Sequence, residues 1–247
     1  MTMPSTAILH SEWIKIRSVR GTFRSLLAIL VVSAGVGALI SAGVGTGEAA
    51  GPDHDPVLFS FYGINYGQIA AIAFGATAFS TEFHNGALRV SLTAVPRRGR
   101  FYAAKIAVIG GAGLAVGLVT GFATFFAGQT GMGPYAIGLG DPGALRATVG
   151  SGIYLALMAV LAAGLTALLR SGIAVISLLI PFILIVSFVI GDMKSAVADF
   201  LPDRAGQIAL HQYPDATIGP WTGLAVTAAW TAAAVLAGWF AVRRRDA

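Results

Sequence analysis

No cysteine occurs in the 247 residues, which excludes a disulfide, a thiolate metal site and a cysteine nucleophile and leaves the redox compartment unmarked. Charge is nearly as scarce. Only 11% of the residues are Asp, Glu, Lys or Arg, against about a quarter in soluble domains, while 56% are hydrophobic and the mean hydropathy is +0.78. Such a chain cannot cover itself with a water-facing exterior. Its composition is that of an integral membrane protein. Histidine is limited to His10, His54, His84 and His211, all in loops or surface segments and none paired at metal-ligand spacing. No serine within an apolar run has a buried histidine available as its base, which argues against an intramembrane serine protease. The G-x-x-x-x-G-K-[ST] phosphate loop is missing too, so ATP hydrolysis by that device is excluded.

What the chain has in quantity is long apolar runs. Residues 25–44 carry no charge, and 20 helical residues at about 1.5 Å each cover about 30 Å of hydrocarbon. Further spans are expected at 57–80, 106–128, 147–169, 173–190 and 221–242, with Pro181 as a kink in the fifth. Residues 1–24 read as an interfacial helix that places Leu9, Trp13 and Ile16 on one face. Residues 45–56, with Glu48, Asp53 and Asp55, form an acidic outer loop; Arg170, Ser171 and Gly172 make a tight return. The segment 191–220 is more polar, yet Val197, Phe200, Leu201, Ile208 and Leu210 keep it on or in the membrane. Trp221 and Trp239 mark the two interfaces of the last span.

Six spans put both termini on one side. On that side lie 13 of the 16 basic residues (Lys15, Arg17, Arg20, Arg24, Arg89, Arg97, Arg98, Arg100, Lys105, Arg170 and Arg243 to Arg245) but only Glu12, Glu82 and Asp246 of the 11 acids. The positive-inside rule makes that side cytoplasmic. The net charge of +5 and the pI near 9.9 then follow from topology and anionic lipid, with no nucleic acid involved.

The cytoplasmic loop 81–105 is the one polar island in the middle of the chain. Phe83, Ala87, Val90 and Ala94 share one helical face; Leu88, Leu92 and Val95 form a second apolar strip; Glu82 and Arg89 lie on a polar side. Gly86 separates the descending span from a short transverse helix that Pro96 ends. Rimmed by Arg97, Arg98 and Arg100, such a helix can enter a groove on a soluble partner. The same residues also fit an ordinary cytoplasmic loop with positive-inside arginines.

The segment TEFHNGALRVSLTAVPRRGRFYAAK resembles the E-[FY]-x-x-G-x-[LI]-R-x-[ST]-L-x-A-V-P-R-R loop of actinobacterial ABC-2 type transporter permeases. SEWIKIRSVRGTF near the start, PWTGLAVTAAW at the last span and the terminal RRRDA are similar as well. The resemblance implies an all-α integral membrane fold of six transmembrane helices with an N-terminal interfacial helix, a cytoplasmic coupling helix and an outer re-entrant segment at 191–220. It implies a permease subunit in the bacterial plasma membrane, dimeric with a second permease copy. Separate ATPase subunits would bind ATP and Mg and grip the loop; this chain would hold no cofactor. Glu82, Gly86, Arg89, Pro96, Arg97 and Arg98 match the motif, and Phe83, Leu88 and Leu92 complete the expected coupling surface.

Tyr62, Asn65 and Gln68 are polar groups at membrane depth and candidates for a substrate path, or else partners for neighbouring helices. Gly113, Gly117 and Gly121 form a close-packing ridge, within the subunit or at a dimer seam. Two rivals to an exporter stay open. One is a membrane anchor or sensor that recruits a cytoplasmic partner without transport; the other is a lipid-modifying enzyme using acids of the segment from Asp192 to Asp215.

Overall fold

The computed structural model describes residues 5–49, 51, 54–84, 87–95, 97–187, 189 and 197–244. Among them there is no strand; helices and turns make up the whole fold. Ten helices are numbered here in chain order: α1 Ser5–Ser18, α2 Arg20–Ala49, α3 Pro56–Ser60, α4 Ile64–Ser80, α5 Ala87–Ala94, α6 Arg98–Gln129, α7 Ala144–Leu169, α8 Gly172–Pro181, α9 Pro202–Gln207 and α10 Pro220–Arg244. Four of these, α2, α6, α7 and α10, are long and apolar enough to cross a bilayer, the character of a multi-pass membrane protein.

Helix α7 is the hub. It packs against α6, α10, α4 and α8, and Tyr154, Leu155, Met158, Ala159 and Ala162 on it are fully buried. Small residues set these close approaches. A Cβ on Gly117 would stand 2.5 Å from the Gly152 carbonyl oxygen, one on Gly121 would overlap the Thr148 backbone, and Gly113 faces Ala156. The glycine ridge of α6 therefore packs inside the chain, on α7. Gly75 brings α4 onto the Ala159 backbone in the same way, and Gly164 meets Gly238 of α10. On α10 the buried seam is Gly223, Thr227, Thr231, Ala234 and Gly238, whereas Ala225, Ala229 and Ala233 face outward.

Several boundaries differ from the sequence reading, each for a local reason. Helix α2 starts five residues before the apolar run and continues through Ala49; Gly45 packs closely on the Gly131 backbone, a contact that offsets the weak helix propensity of the glycines. The run 57–80 is broken. Asp55 caps α3, accepting from the Val57 and Leu58 amides at 3.1 and 2.9 Å, and the chain turns at Phe61–Tyr62–Gly63 before α4 begins. Gly63 lies against the Ser33 carbonyl of α2, with no room for a side chain.

Helix α6 begins at Arg98, eight residues ahead of the apolar stretch. Helix α8 stops at Pro181, which has no amide hydrogen to give, and the wider π-type turn Phe182–Ser187 follows. Arg170 adopts a left-handed φ of 55° and Ser171 caps α8 through the Ala174 amide, closing the return between α7 and α8. In the segment after α8, short turns Ala198–Phe200 and Ile208–Leu210 flank α9. Asp192, Lys194 and the rest of 191–196 lie outside the described residues.

Candidate functional site

At the end of the bundle that carries α1 and α5, four charges meet, three of them buried and the fourth, Lys15, partly open to the surface. Glu12, Glu82 and Lys105 are each 2–3% exposed. Lys15 Nζ donates to Glu12 Oε1 at 2.7 Å and to Glu82 Oε1 at 2.9 Å; Lys105 Nζ stands 2.5 Å from Glu82 Oε1 and 3.0 Å from Glu12 Oε2. Ser91 of α5 completes the square: its hydroxyl donates to Glu82 Oε2 at 2.9 Å and accepts from Lys15 at 3.1 Å. The cluster is electrically neutral, so the burial cost of each ion is offset by two opposite charges at hydrogen-bond distance. Its members come from α1, the turn Thr81–Phe83 after α4, α5 and α6, and it ties these four elements together.

The electrostatics follow from that geometry. Burial alone would push the Glu82 carboxyl up, but Lys105 and Lys15 outweigh it and hold Glu82 below the ordinary carboxylate range. Burial alone would likewise pull the Lys15 ammonium down, and the bonds to Glu12 and Glu82 raise it above its usual value instead.

Helix α1 turns accordingly. Ile8, Glu12 and Ile16 face the bundle, while Leu9 and Trp13 point away from it, so the expected stripe of Leu9, Trp13 and Ile16 is split. This rotation buries Ile8 and Ile16 and brings Glu12 to Lys15 and Lys105 together.

The sequence-derived coupling residues take different stations. Phe83 packs beside Phe79 with ring centroids 5.8 Å apart. Leu88 is buried at 9% exposure and anchors α5; Leu92 is half-buried; Val90 stands out at 70% exposure, with Arg89 exposed next to it. Arg97 is exposed, and Arg98 donates to the Val242 carbonyl at 3.3 Å. Gly86 and Pro96 lie outside the described residues. Glu82 is therefore an internal tie, and the side chains α5 presents outward are Arg89, Val90, Thr93 and Ala94.

At the opposite end, α9 plugs into the bundle. Gln68 Oε1 accepts from the Tyr154 hydroxyl, and Gln207 Nε2 reaches Tyr154 at 3.3 Å and Gln68 at 3.4 Å. Ser187 donates to Asp203 at 2.8 Å, and Arg204 bonds the Ser187 carbonyl through Nε and Nη2 at 3.2 and 3.1 Å. Asp55 reaches the same segment by accepting from the Gln212 amide at 2.9 Å. Of the three candidate path residues only Gln68 is in this knot. Tyr62 is exposed, and the Asn65 amide makes a long bond of 3.4 Å to the Tyr62 carbonyl.

Two acids of the segment are similarly occupied, Asp203 by Ser187 and Asp199 by the Thr217 amide and hydroxyl at 2.8 and 2.7 Å. Among the described residues no three His, Asp or Glu side chains converge as a metal ion would require.

The sequence reading missed Glu12, Lys15, Lys105 and Ser91 as one unit, and Tyr154 with Gln207 as another. A usable signal existed for the first. Acids are rare among the basic residues of 1–24 and 81–105, and a lone Glu or Lys beside an apolar run is costly unless it has a buried partner. Nothing in the spacing could have paired Gln68 with Tyr154, 86 residues apart. No protein-family profile matches the chain, and no curated protein matches its sequence.

Proposed function

We propose that the chain is the permease subunit of an ATP-driven exporter of the ABC-2 type, with six crossings of a bacterial plasma membrane. The four long helices supply four of them, α3 with α4 a fifth, and α8 with its π turn the sixth. Both termini and α5 then lie in the cytoplasm, and the segment 197–220 folds back from outside. The chain performs no chemistry of its own. Separate ATPase subunits, loaded with ATP and Mg, grip α5, and a second permease copy completes the pathway for a hydrophobic or amphipathic cargo.

One observation carries this reading. Helix α5 is a short amphipathic helix joined to the bundle through Leu88 and Ser91 while Val90 and Arg89 project outward. A force applied to that outward edge passes through Ser91 to Glu82, and from there to α1 and α6 at once. A loop that only obeyed the positive-inside rule would not need a buried ionic square behind it.

The test is co-purification with a partner ATPase and measurement of its stimulated hydrolysis. Val90→Asp and Arg89→Glu should insert normally and reduce stimulation at least about tenfold, the loss of a central apolar anchor or of a charge pair at an interface. Normal stimulation in both variants would end the proposal. Partner binding without nucleotide-dependent flux in vesicles would favour the anchor or sensor instead.

A further inference from the structure

The cytoplasmic end of α10 sets two arginines beside two aromatic rings. Arg243 stacks its guanidinium 4.5 Å from the centroid of Trp239, Arg244 lies 5.9 Å from that of Phe240, and the two rings meet edge to face at 5.0 Å. Phe240, Arg243 and Arg244 line a groove of about 260 Å³. Helix ends of this kind carry a partial negative charge on their last carbonyls, which would repel an anion; here Arg98 of α6 donates to the Val242 carbonyl. Gly99 beside Arg98 faces Trp239, and a Cβ built there would lie in ordinary contact with the indole nitrogen at 3.5 Å.

The geometry points to a binding site for an anionic phospholipid, with its phosphate held by Arg243 and Arg244 and its acyl chain lying along α10. A guanidinium stacked on a ring has spent its flat face but not its N–H edge, and that edge matches the oxygens of a phosphate in a paired fashion. Among the described residues neither arginine has an acidic partner, and the two described acids at this end, Glu12 and Glu82, are buried and neutralised by lysines. Within the described residues, the positive charge of the groove is left without an acidic partner and open to an anionic ligand.

The choice of lipid over a soluble partner rests on what continues from the groove. Phe240, Leu236 and Ala233 follow at helical spacing on the same exposed face, 49% and 55% open for the first two, and form an apolar track leading from the arginines toward the middle of the helix. A charged head above a linear apolar tail is the shape of a phospholipid. The inference depends on α10 crossing the membrane and is independent of transport, so it and the exporter proposal fail separately.

The experiment uses the full chain in nanodiscs of phosphatidylcholine containing a minority of phosphatidylglycerol. Lipids retained after gentle extraction are counted by native mass spectrometry. Wild type should retain phosphatidylglycerol about tenfold or more above its share of the bilayer, in line with the attraction of two arginines for an anionic headgroup. Arg243→Gln with Arg244→Gln should fall to the bulk ratio, while Arg17→Gln with Arg20→Gln, a charge-matched control on α1 and α2, should keep the enrichment. Equal enrichment in both double variants would overturn the site. So would displacement of the lipid by millimolar inorganic phosphate, which would make it a free-anion site. Loss of ATPase co-purification in Arg243→Gln/Arg244→Gln with lipid retention unchanged would give the surface to a protein partner instead.

Discussion

Glu82 shows how far one side chain can be constrained by its surroundings. It is held below its ordinary pKa of 4.5 by Lys105 and Lys15, so the stability it contributes is complete above about pH 4.5 and is lost as pH falls through the lowered value. Lys15, raised above 10.5, contributes fully below that pH and is lost only as pH climbs past its raised value. Between those limits the square is intact. Thermal unfolding in detergent should therefore be flat across the neutral range and fall in acid, and Glu82→Gln should lower the melting temperature at pH 7 while weakening the acid dependence. The expected cost is about 2–3 kcal/mol, below the 3–5 of a fully orphaned buried ion, because Glu12 remains beside Lys105. An unchanged melting temperature at pH 7 would mean that the square carries no stability.

Glycines give a second test at this scale. Gly75→Ala forces a methyl into the Ala159 backbone, whereas Gly111→Ala meets nothing within 4 Å. The first should cost about 1–3 kcal/mol through overpacking and the second should be neutral or slightly stabilising, as read by detergent melting curves. Similar melting shifts in the two variants would contradict the α4–α7 approach.

At the scale of elements, α5 separates anchoring from presentation. Leu88 faces the bundle and Val90 faces out, so Leu88→Asp should lower the melting temperature while Val90→Asp leaves it unchanged. The reverse pattern would show that α5 sits on the bundle by its other face. Helix α1 teaches a related lesson. Its hydrophobic spacing suggested Leu9, Trp13 and Ile16 as one stripe, but the observed rotation buries Ile8, Glu12 and Ile16 together, with Glu12 paired to Lys15 and Lys105, and leaves Leu9 and Trp13 outward. The break between α3 and α4 is also an element-scale matter. The sequence reading takes 57–80 as one span; Asp55 and Pro56 start α3, and the close approach of Gly63 to the α2 backbone places the turn before α4.

For the whole molecule, the proposed topology places α5 and the loop before α10 on opposite sides of the membrane. Tyr213 in that loop and Val90 on α5 are both more than two-thirds exposed, and the chain has no native cysteine to confuse labelling. Tyr213→Cys should react in intact cells with a membrane-impermeant maleimide and Val90→Cys should not; after lysis both should react. Labelling of Val90→Cys from outside would invert the molecule and remove α5 from the reach of any cytoplasmic ATPase.

The amino-acid order alone determined that the chain is helical and membrane-embedded, and it located the polar island, because hydrocarbon admits only long uncharged helices and expels everything else to the loops. What tertiary structure decided is which of those polar residues are exposed. Glu82, Lys105, Glu12 and Ser91 come from four elements and Gln68, Tyr154 and Gln207 from three, and pairing across such distances depends on how helices pack, which no local spacing records. Small residues on α6, α7 and α10 set those distances, and their effect is a property of two surfaces in contact.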